Sequence, residues 1–206
     1  MDLRKGWKPS GSKGSISRGG IWLRLGGWLG RRCCGPSPVH PMLTHAARTW
    51  GSMTSQPGRC TLWVGCRCGR ELVICKLGML QLKPGSYAYV GSAFGPGGLA
   101  ARIGHHSGIV VRPHWHVDHL RAACPLIEVW FTSDPRRQEH AWAKALSAIP
   151  DVDVPLPGFG SSDCDCTAHL FRFDQPLRLK SFRNRFGAET SLRSVRATDL
   201  TGSGPG

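Results

Sequence analysis

The sequence predicts a mixed α/β (α+β) domain with a small, mainly antiparallel sheet. Two observations lead to this prediction. Short β-rich runs follow one another with only turns between them, which favours hairpin-like pairing. Two other segments carry apolar residues at helical spacing, and each follows a clear turn or capping signal.

The first strands lie between residues 60 and 90. Residues 60–66 and 71–75 are β-rich runs on either side of residues 67–70, which predicts a hairpin at 67–70. Residues 87–90 are predicted to form the third strand, directly after a Lys-Pro-Gly turn at 83–85.

Two helices are predicted downstream of these strands. Residues 99–106 have helical spacing and follow a glycine-rich turn at 94–98. A second helix is predicted from Asp134 to about residue 149, because Asp134 is a capping residue and Pro135 suits the first helical position.

The remaining elements complete a domain at residues 58–175. Residues 126–131 read as a further strand, and residues 169–173 as a last edge strand. The intervening residues 150–166 are rich in aspartate, proline and glycine, and they predict a loop.

The charge is distributed unevenly along the chain. The net charge is +14, of which residues 1–57 carry +8, residues 58–176 carry +2 and residues 177–206 carry +4. We therefore expect a nearly neutral domain between a basic, low-complexity, disordered leader (1–57) and a basic, disordered tail (176–206). Basic arms of this kind favour nonspecific contacts with phosphate.

The cysteines and apolar runs bear on the compartment. The nine cysteines are an odd number and follow no secretory signal, which favours reduced thiols and an intracellular, cytoplasmic protein. No apolar run approaches the roughly 20 residues needed to span a membrane. Residues 1–52 could be a signal peptide or a transit leader, but we prefer Met53 as the true start.

Four side chains near the third strand predict a phosphate site. Tyr87 and Tyr89 alternate on a strand and so point to one face, where both hydroxyls can reach one site. Arg102 and His106 are four residues apart and are neighbours on the following helix. Phenols, a guanidinium and an imidazole beside a helix N-terminus suit a phosphate better than a neutral ligand.

At this point the sequence resembles the GIY-YIG nuclease superfamily, and in particular its small DUF123 branch. The resemblance covers roughly residues 58–173 and rests on four blocks in order: Tyr89-Val-Gly-Ser-Ala93, Gly98-Leu-Ala-Ala-Arg102-Ile103, His114-Trp-His-Val-Asp118 and Gly158-Phe-Gly-Ser-Ser-Asp-Cys164-Asp-Cys166. It implies a three-stranded antiparallel sheet with flanking helices, here with extra strands. One family feature is missing, because Cys60 stands near the place of the first tyrosine of the motif.

The resemblance implies an endonuclease, a hydrolase that cleaves DNA phosphodiester bonds with one Mg²⁺ or Mn²⁺. Glu139 would hold the metal, because the metal-binding glutamate of the family sits on a comparable helix. Arg102 would neutralise the phosphate, Tyr89, with Tyr87, would position or deprotonate the attacking water, and His106 would assist. The expected partner is DNA, branched or damaged DNA included, with no membrane and no prediction of oligomeric state.

The pattern of the predicted helix also points to Glu139, independently of the family resemblance. It borders the apolar stripe of the second predicted helix, formed by Trp142, Leu146 and Ile149. A carboxylate in such a place needs a cation or a paired arginine. A salt bridge to an arginine is the alternative to a metal.

Two further clusters carry metal-ligand residue types. His114, His116 and Asp118 share one face only on a strand, and packing around Trp115 is the preferred interpretation. Cys164, Cys166 and His169 are spaced more tightly than most zinc ligands, so a structural Zn²⁺ is a minor alternative there, with Asp163 or a histidine from 114–119 as the fourth ligand.

Two other functions stay open. The missing first tyrosine favours a module that binds nucleic acid without cleaving it. The two His- and Cys-containing clusters favour an interaction protein stabilised by a metal.

We predict that residues 1–52 are dispensable for folding. They carry the whole +8 charge of the leader and no periodic apolar face, so they cannot offset the entropy cost of ordering. A chain starting at Met53 should keep the thermal unfolding midpoint of the full chain. Loss of cooperative unfolding in the shorter chain would contradict this.

Overall fold

The computed structural model describes residues 55–136, 138–186 and 191–200. The predicted leader up to residue 54, the proposed start at Met53 and the last six residues lie outside these ranges. In chain order the elements are β1 (Arg59–Cys66), β2 (Arg70–Ile74), β3 (Gly78–Leu82), β4 (Gly85–Ser92), α1 (Gly98–Ser107), α2 (His116–Ala123), β5 (Leu126–Thr132), α3 (Glu139–Ser147), β6 (Leu170–Phe173), α4 (Leu179–Phe186), β7 (Arg193–Arg196) and α5 (Ala197–Leu200).

Strand β1 is the centre of a five-stranded antiparallel sheet in the order β6-β4-β1-β5-β7. Nearly all of its residues are buried, because strands lie on both sides of it and cores cover both faces. The predicted mixed α/β class with a mainly antiparallel sheet is confirmed.

The two faces of the sheet carry two cores. Leu62 and Val64 of β1 point into one core, which packs against α1, α2 and the β2–β3 hairpin. Trp63 lies between them in sequence and points into the other core, where Trp142 of α3 packs. This strict alternation places Tyr89 on the first face.

The predicted hairpin at residues 67–70 is wrong. Strand β2 pairs with β3, with Leu72 opposite Leu80, and β1 pairs with β4 and β5 instead. The turn between β2 and β3 contains Cys75 at φ 43, so the reversal of the chain falls at 75–77. No pattern in the sequence predicts β3, because Gly78–Leu82 is short and is followed directly by Lys83-Pro84.

The helix predicted from Asp134 begins later, at Glu139. The Asp134 carboxylate accepts hydrogen bonds from the Arg136 backbone N–H at 2.9 Å and from its guanidinium. This local turn uses the capping side chain, so residues 134–136 lie outside the helix.

The predicted disordered tail from residue 176 is contradicted by ordered elements. Helix α4 buries Phe182 against Trp130 and Trp142, with ring centroids 5.3 Å away in both cases. Strand β7 then pairs with β5, and Leu192 is buried in the same core. The segment is polar overall, but a few apolar side chains suffice to attach it.

The expectation of reduced thiols fails at Cys66 and Cys124. These residues form a disulfide that joins the end of β1 to the end of α2, with 5.2 Å between their Cα atoms. Four of the described cysteines have free thiols: Cys60, Cys75, Cys164 and Cys166.

Within the described ranges no helix has the length and apolar character needed to cross a bilayer.

We predict that Phe182→Ala will destabilise the whole domain. Removing a fully buried phenylalanine leaves a cavity between two tryptophans and typically costs about 3–5 kcal/mol. Urea unfolding measures the change, and Lys180→Ala on the exposed side of α4 is the matched control. Equal midpoints for both variants would show that α4 does not pack as described.

Candidate active site

A cavity of about 820 Å³ is lined by residues of three elements. Tyr89 reaches it from β4, Arg102 from α1 and Glu139 from the first position of α3. His140 and His169 complete this part of the wall. Three of the predicted site residues, more than 10 residues apart in sequence, are therefore brought together.

Two glycines shape the surroundings of Tyr89. A Cβ at Gly91 would lie 3.3 Å from both the Tyr89 ring and the Arg102 guanidinium, which is tighter than ordinary packing. Gly160 has φ +75, and a Cβ there would lie 2.7 Å from the other edge of the Tyr89 ring. The Tyr89 ring thus lies between the backbones of Gly91 and Gly160, and the Arg102 guanidinium lies near Gly91.

Burial raises the pKa of the Tyr89 hydroxyl, and the nearby positive charge of Arg102 only partly opposes this. The side chain is therefore a neutral phenol at physiological pH. It can donate and accept a hydrogen bond, but it is not a base on its own.

Arg102 has its flat face against Trp115, with the guanidinium carbon 4.5 Å from the ring centroid. Its Nε is buried and has no hydrogen-bond acceptor among the described residues. No ion pair joins Arg102 to a carboxylate in the described part of the chain. A cation held in this way on a cavity wall is suited to bind an anion.

Helix α3 places Glu139 on the wall through contacts of its neighbours. Arg59 of β1 donates a hydrogen bond to the Arg136 carbonyl at 2.8 Å and another to Gln138 Oε1 at 3.2 Å. Glu139 itself is 8% exposed, and its Oε2 is buried without a hydrogen-bond partner within the described ranges. The arginine salt bridge considered from the sequence is not formed among these residues.

His106 is buried behind the cavity and does not line it. Its Nδ1 lies 3.2 Å from Asp118, and its ring packs edge-on against Trp115. Burial, followed by the charge of Arg102, lowers the pKa of His106 to about 3, which outweighs the opposite effect of Asp118. His106 is neutral at physiological pH and supports the Trp115 ring on which Arg102 lies.

Asp118 serves as the cap of α2. Its Oδ2 accepts hydrogen bonds from the backbone N–H groups of His114 and Trp115, at 3.0 and 2.9 Å. His105 Nε2 lies 3.3 Å from both carboxylate oxygens. Burial alone would raise the pKa of Asp118, but these hydrogen bonds and the imidazoles outweigh it and lower the pKa.

The predicted metal set of His114, His116 and Asp118 is not assembled. His116 Nδ1 accepts a hydrogen bond from the Gly160 N–H at 3.1 Å, and so holds the loop that packs on Tyr89. His114 and His116 both line the cavity, whereas Asp118 is engaged with His105 and His106. Packing around Trp115, the preferred interpretation from the sequence, matches this arrangement.

Tyr87 does not join Tyr89 in the site. Its hydroxyl accepts a hydrogen bond from the Lys83 N–H at 2.8 Å and donates one to the Lys83 carbonyl at 2.9 Å. It closes the turn before β4 and leaves the cavity to Tyr89. The expectation that both hydroxyls reach one site is therefore wrong.

Cys60 stands near the place where the sequence comparison expected the first tyrosine. It lies on β1 opposite Gly91 of β4, and it is 1% exposed. Burial raises the pKa of its thiol to about 11, although Arg102 acts in the opposite direction. The position is thus next to the Tyr89–Arg102 pair, but it offers a small neutral thiol to the site.

Cys164, Cys166 and His169 come together, and they are joined by His140. One ligand atom from each of the four residues lies within 4.8 Å of all the others. Partial burial, together with Cys164, raises the pKa of Cys166 to about 11, and burial lowers the pKa of His169. Sequence reasoning missed His140, and the only available signal was its position next to Glu139.

The two donor sets suit different metals. The orphaned Glu139 carboxylate oxygen is a hard ligand of the kind that Mg²⁺ and Mn²⁺ accept, and open cavity beside it leaves room for water and a phosphate. The two thiols and two imidazoles suit a softer ion such as Zn²⁺.

Residues 60–190 match the family model described as "Domain of unknown function DUF123". Comparisons of the chain with curated proteins and with solved structures gave no significant match.

We predict that His106→Gln will flatten the loss of stability in acid. The folded-state pKa of about 3 lies below the ordinary value of 6.5, so between these values only the unfolded chain binds the proton. The contribution of His106 to the free energy of unfolding is therefore complete above about pH 6.5. It falls by up to about 1.4 kcal/mol per pH unit as the pH drops toward 3. Urea unfolding of the wild type and the variant across this range measures the difference.

If His106→Gln keeps the acid slope of the wild type, the imidazole of His106 is not held neutral by burial.

Proposed function

The chain belongs to the DUF123 family, and we propose that it is a divalent-metal-dependent endonuclease of the GIY-YIG type that hydrolyses DNA phosphodiester bonds. The observation that carries the proposal is the convergence of Tyr89, Arg102 and Glu139 on one cavity. Two of them present a buried polar atom without a partner among the described residues, Arg102 Nε and Glu139 Oε2. Buried polar atoms of opposite charge that lack partners on one wall favour a ligand that carries both an anion and a cation.

Arg102 is the group that binds the phosphate. Its guanidinium lies over the Trp115 ring, and it is close enough to Gly91 that a Cβ there would lie 3.3 Å from it. A pre-positioned donor of this kind stabilises charge that develops on the phosphoryl oxygens without having to reorganise during the reaction.

Glu139 is the residue that would hold the metal. A bound Mg²⁺ or Mn²⁺ supplies charge neutralisation at the scissile phosphate and at the leaving oxygen. Glu139 is kept near the cavity by Arg59 and Gln138, so its carboxylate is available without a competing arginine.

Tyr89 orients the attacking water. As a neutral phenol it accepts a hydrogen bond from that water and directs the oxygen lone pair toward phosphorus, since burial keeps its own proton in place. The water oxygen bonds to phosphorus as the P–O ester bond breaks; the attacking water loses a proton to solvent, and the leaving oxygen takes up a proton from solvent. His106 acts through Trp115 and Arg102 as a positioning residue and not by proton transfer.

The charge of the chain favours DNA as the partner. The net charge of +14 lies mostly outside residues 58–176, so electrostatic attraction to the phosphate backbone adds affinity without sequence preference. Specificity for plain, branched or damaged DNA must then come from the cavity and its surroundings.

Cys60 favours a second candidate, a module that binds nucleic acid without turnover. Where the motif has a phenol, this chain has a buried neutral thiol of much shorter reach beside Tyr89 and Arg102. If water orientation requires both phenols, phosphate binding persists and cleavage does not.

We predict that Glu139→Gln will slow cleavage about a thousand-fold, the order expected when a catalytic cation loses its protein carboxylate. DNA affinity should stay level or rise, because a negative charge near the phosphate is removed. Single-turnover cleavage and equilibrium binding of plain, branched and damaged DNA, with Mg²⁺ and with Mn²⁺, measure both effects. Glu71→Gln, an exposed acid on the β2–β3 hairpin, is the matched control and should cleave like the wild type.

Arg102→Ala separates the two roles, since it should weaken binding as well as cleavage. Equal cleavage by wild type and Glu139→Gln would refute the metal assignment. Tight binding by a wild type that cleaves none of the substrates would favour the binding module instead.

A further inference from the structure

Beside the proposed active site lies a second set of ligand side chains with a different chemistry. Cys164 and Cys166 come from the loop before β6, His169 directly precedes β6, and His140 comes from the first turn of α3. The phosphodiester chemistry proposed above uses none of these four side chains. Cys164, His169 and His140 belong to neither apolar core, and Cys166 only packs against the edge of one. The four side chains are therefore not needed to fill a core.

The distances within the set fit a single tetrahedral ion. Cys164 Sγ lies 3.4 Å from His169 Nε2, and Cys166 Sγ lies 3.5 Å from His140 Nδ1. Sulfur and nitrogen ligands that share a tetrahedral zinc, with bonds of about 2.3 and 2.0–2.1 Å, lie about 3.5 Å apart. The other pairs lie within 4.8 Å, so only small side-chain adjustments are needed to close the set around an ion.

The nature of the ligands decides between metals. Two thiols and two imidazoles select a soft or borderline ion and disfavour Mg²⁺, which prefers oxygen ligands. The Cys-x-Cys spacing looked too tight for zinc in the sequence, because paired ligands on one turn are usually separated by two to four residues. In the structure the two cysteines instead each approach a histidine from another position, which removes that objection.

We propose that Cys164, Cys166, His169 and His140 form a closed Zn²⁺ site that fastens the N-terminal turn of α3 to the 158–169 loop. Four protein ligands leave no open position, which is typical of a structural site and not of a catalytic one. The two segments that the ion joins are the ones that carry Glu139 and Gly160 to the cavity. Zinc loading therefore sets the position of the proposed catalytic carboxylate relative to Tyr89.

The first test measures metal in the full-length protein. After purification under reducing conditions, elemental analysis should find about one zinc per chain. Replacement by Co²⁺ should give the visible absorption of a tetrahedral cobalt site and a near-ultraviolet thiolate-to-cobalt charge-transfer band. Cys164→Ser and His140→Gln should each lower the zinc content and weaken the charge-transfer or visible bands, whereas Cys75→Ser, an exposed free cysteine outside the set, should leave both unchanged.

Folding failure is separated from ligand loss by the choice of variants. His140 is exposed on α3, so His140→Gln should keep the far-ultraviolet circular dichroism of the wild type while it loses the ion. Reversible removal of zinc from the wild type by a chelator, followed by cobalt titration, gives the same information without any substitution.

Several results would overturn the proposal. One is wild-type protein that holds no zinc and gives no cobalt charge-transfer band. A second is a native Cys164–Cys166 disulfide found by mass spectrometry. A third is full zinc content in His140→Gln. The proposal does not depend on cleavage of DNA, because Glu139→Gln should retain zinc and the cobalt spectrum even if it abolishes activity. Loss of zinc in Glu139→Gln would also overturn it, because a site closed by these four ligands does not use Glu139.

Discussion

A buried guanidinium on the central strand fixes the geometry on which the candidate site depends. Arg59 is fully buried, and its charge must be compensated by acceptors and by an aromatic face. It finds the Arg136 carbonyl, Gln138 Oε1 and the ring of Trp142, whose centroid lies 4.8 Å away. Because these groups belong to the entry and the body of α3, the start of that helix is bound to the sheet. Glu139 is placed by this attachment, and its own carboxylate remains available.

A second layer, behind Arg102, determines the charge that the cavity presents. Trp115 contacts both Arg102 and the His106 imidazole. Asp118 lies 3.2 Å from His106 Nδ1 and accepts a hydrogen bond from the Trp115 backbone N–H. A protonated His106 would put a second positive charge in a fully buried position next to Arg102, and burial prevents this. The guanidinium is therefore the cation that this layer presents to the cavity, while the imidazole contributes packing.

The parts of the site that depend on local pattern could be predicted, and those that depend on distant contacts could not. Strand alternation and helical spacing predicted that Tyr89, Arg102 and His106 share one site; in the structure Tyr89 and Arg102 line the same cavity and His106 does not. The same alternation put Tyr87 on the face of Tyr89, but it could not reveal that the hydroxyl turns back to Lys83. His140 meets its cysteine partners only because α3 and a loop more than 20 residues away pack together, and no local pattern records that. The ordered C-terminal elements were missed because a few apolar contacts, such as that of Phe182, outweigh a polar composition.

Strand β7 has a consequence for the solution behaviour of the protein. Without it, the backbone N–H and C=O groups on one side of β5 would be unpaired, and such a row can recruit a strand from another molecule. The short sequence Arg193–Arg196 covers those groups and presents exposed arginines at both of its ends. Charges on a short outer strand repel a further strand of the same kind, so the sheet is closed to growth by self-association on this side. The basic C-terminal segment thus protects the fold against aggregation as well as adding positive charge.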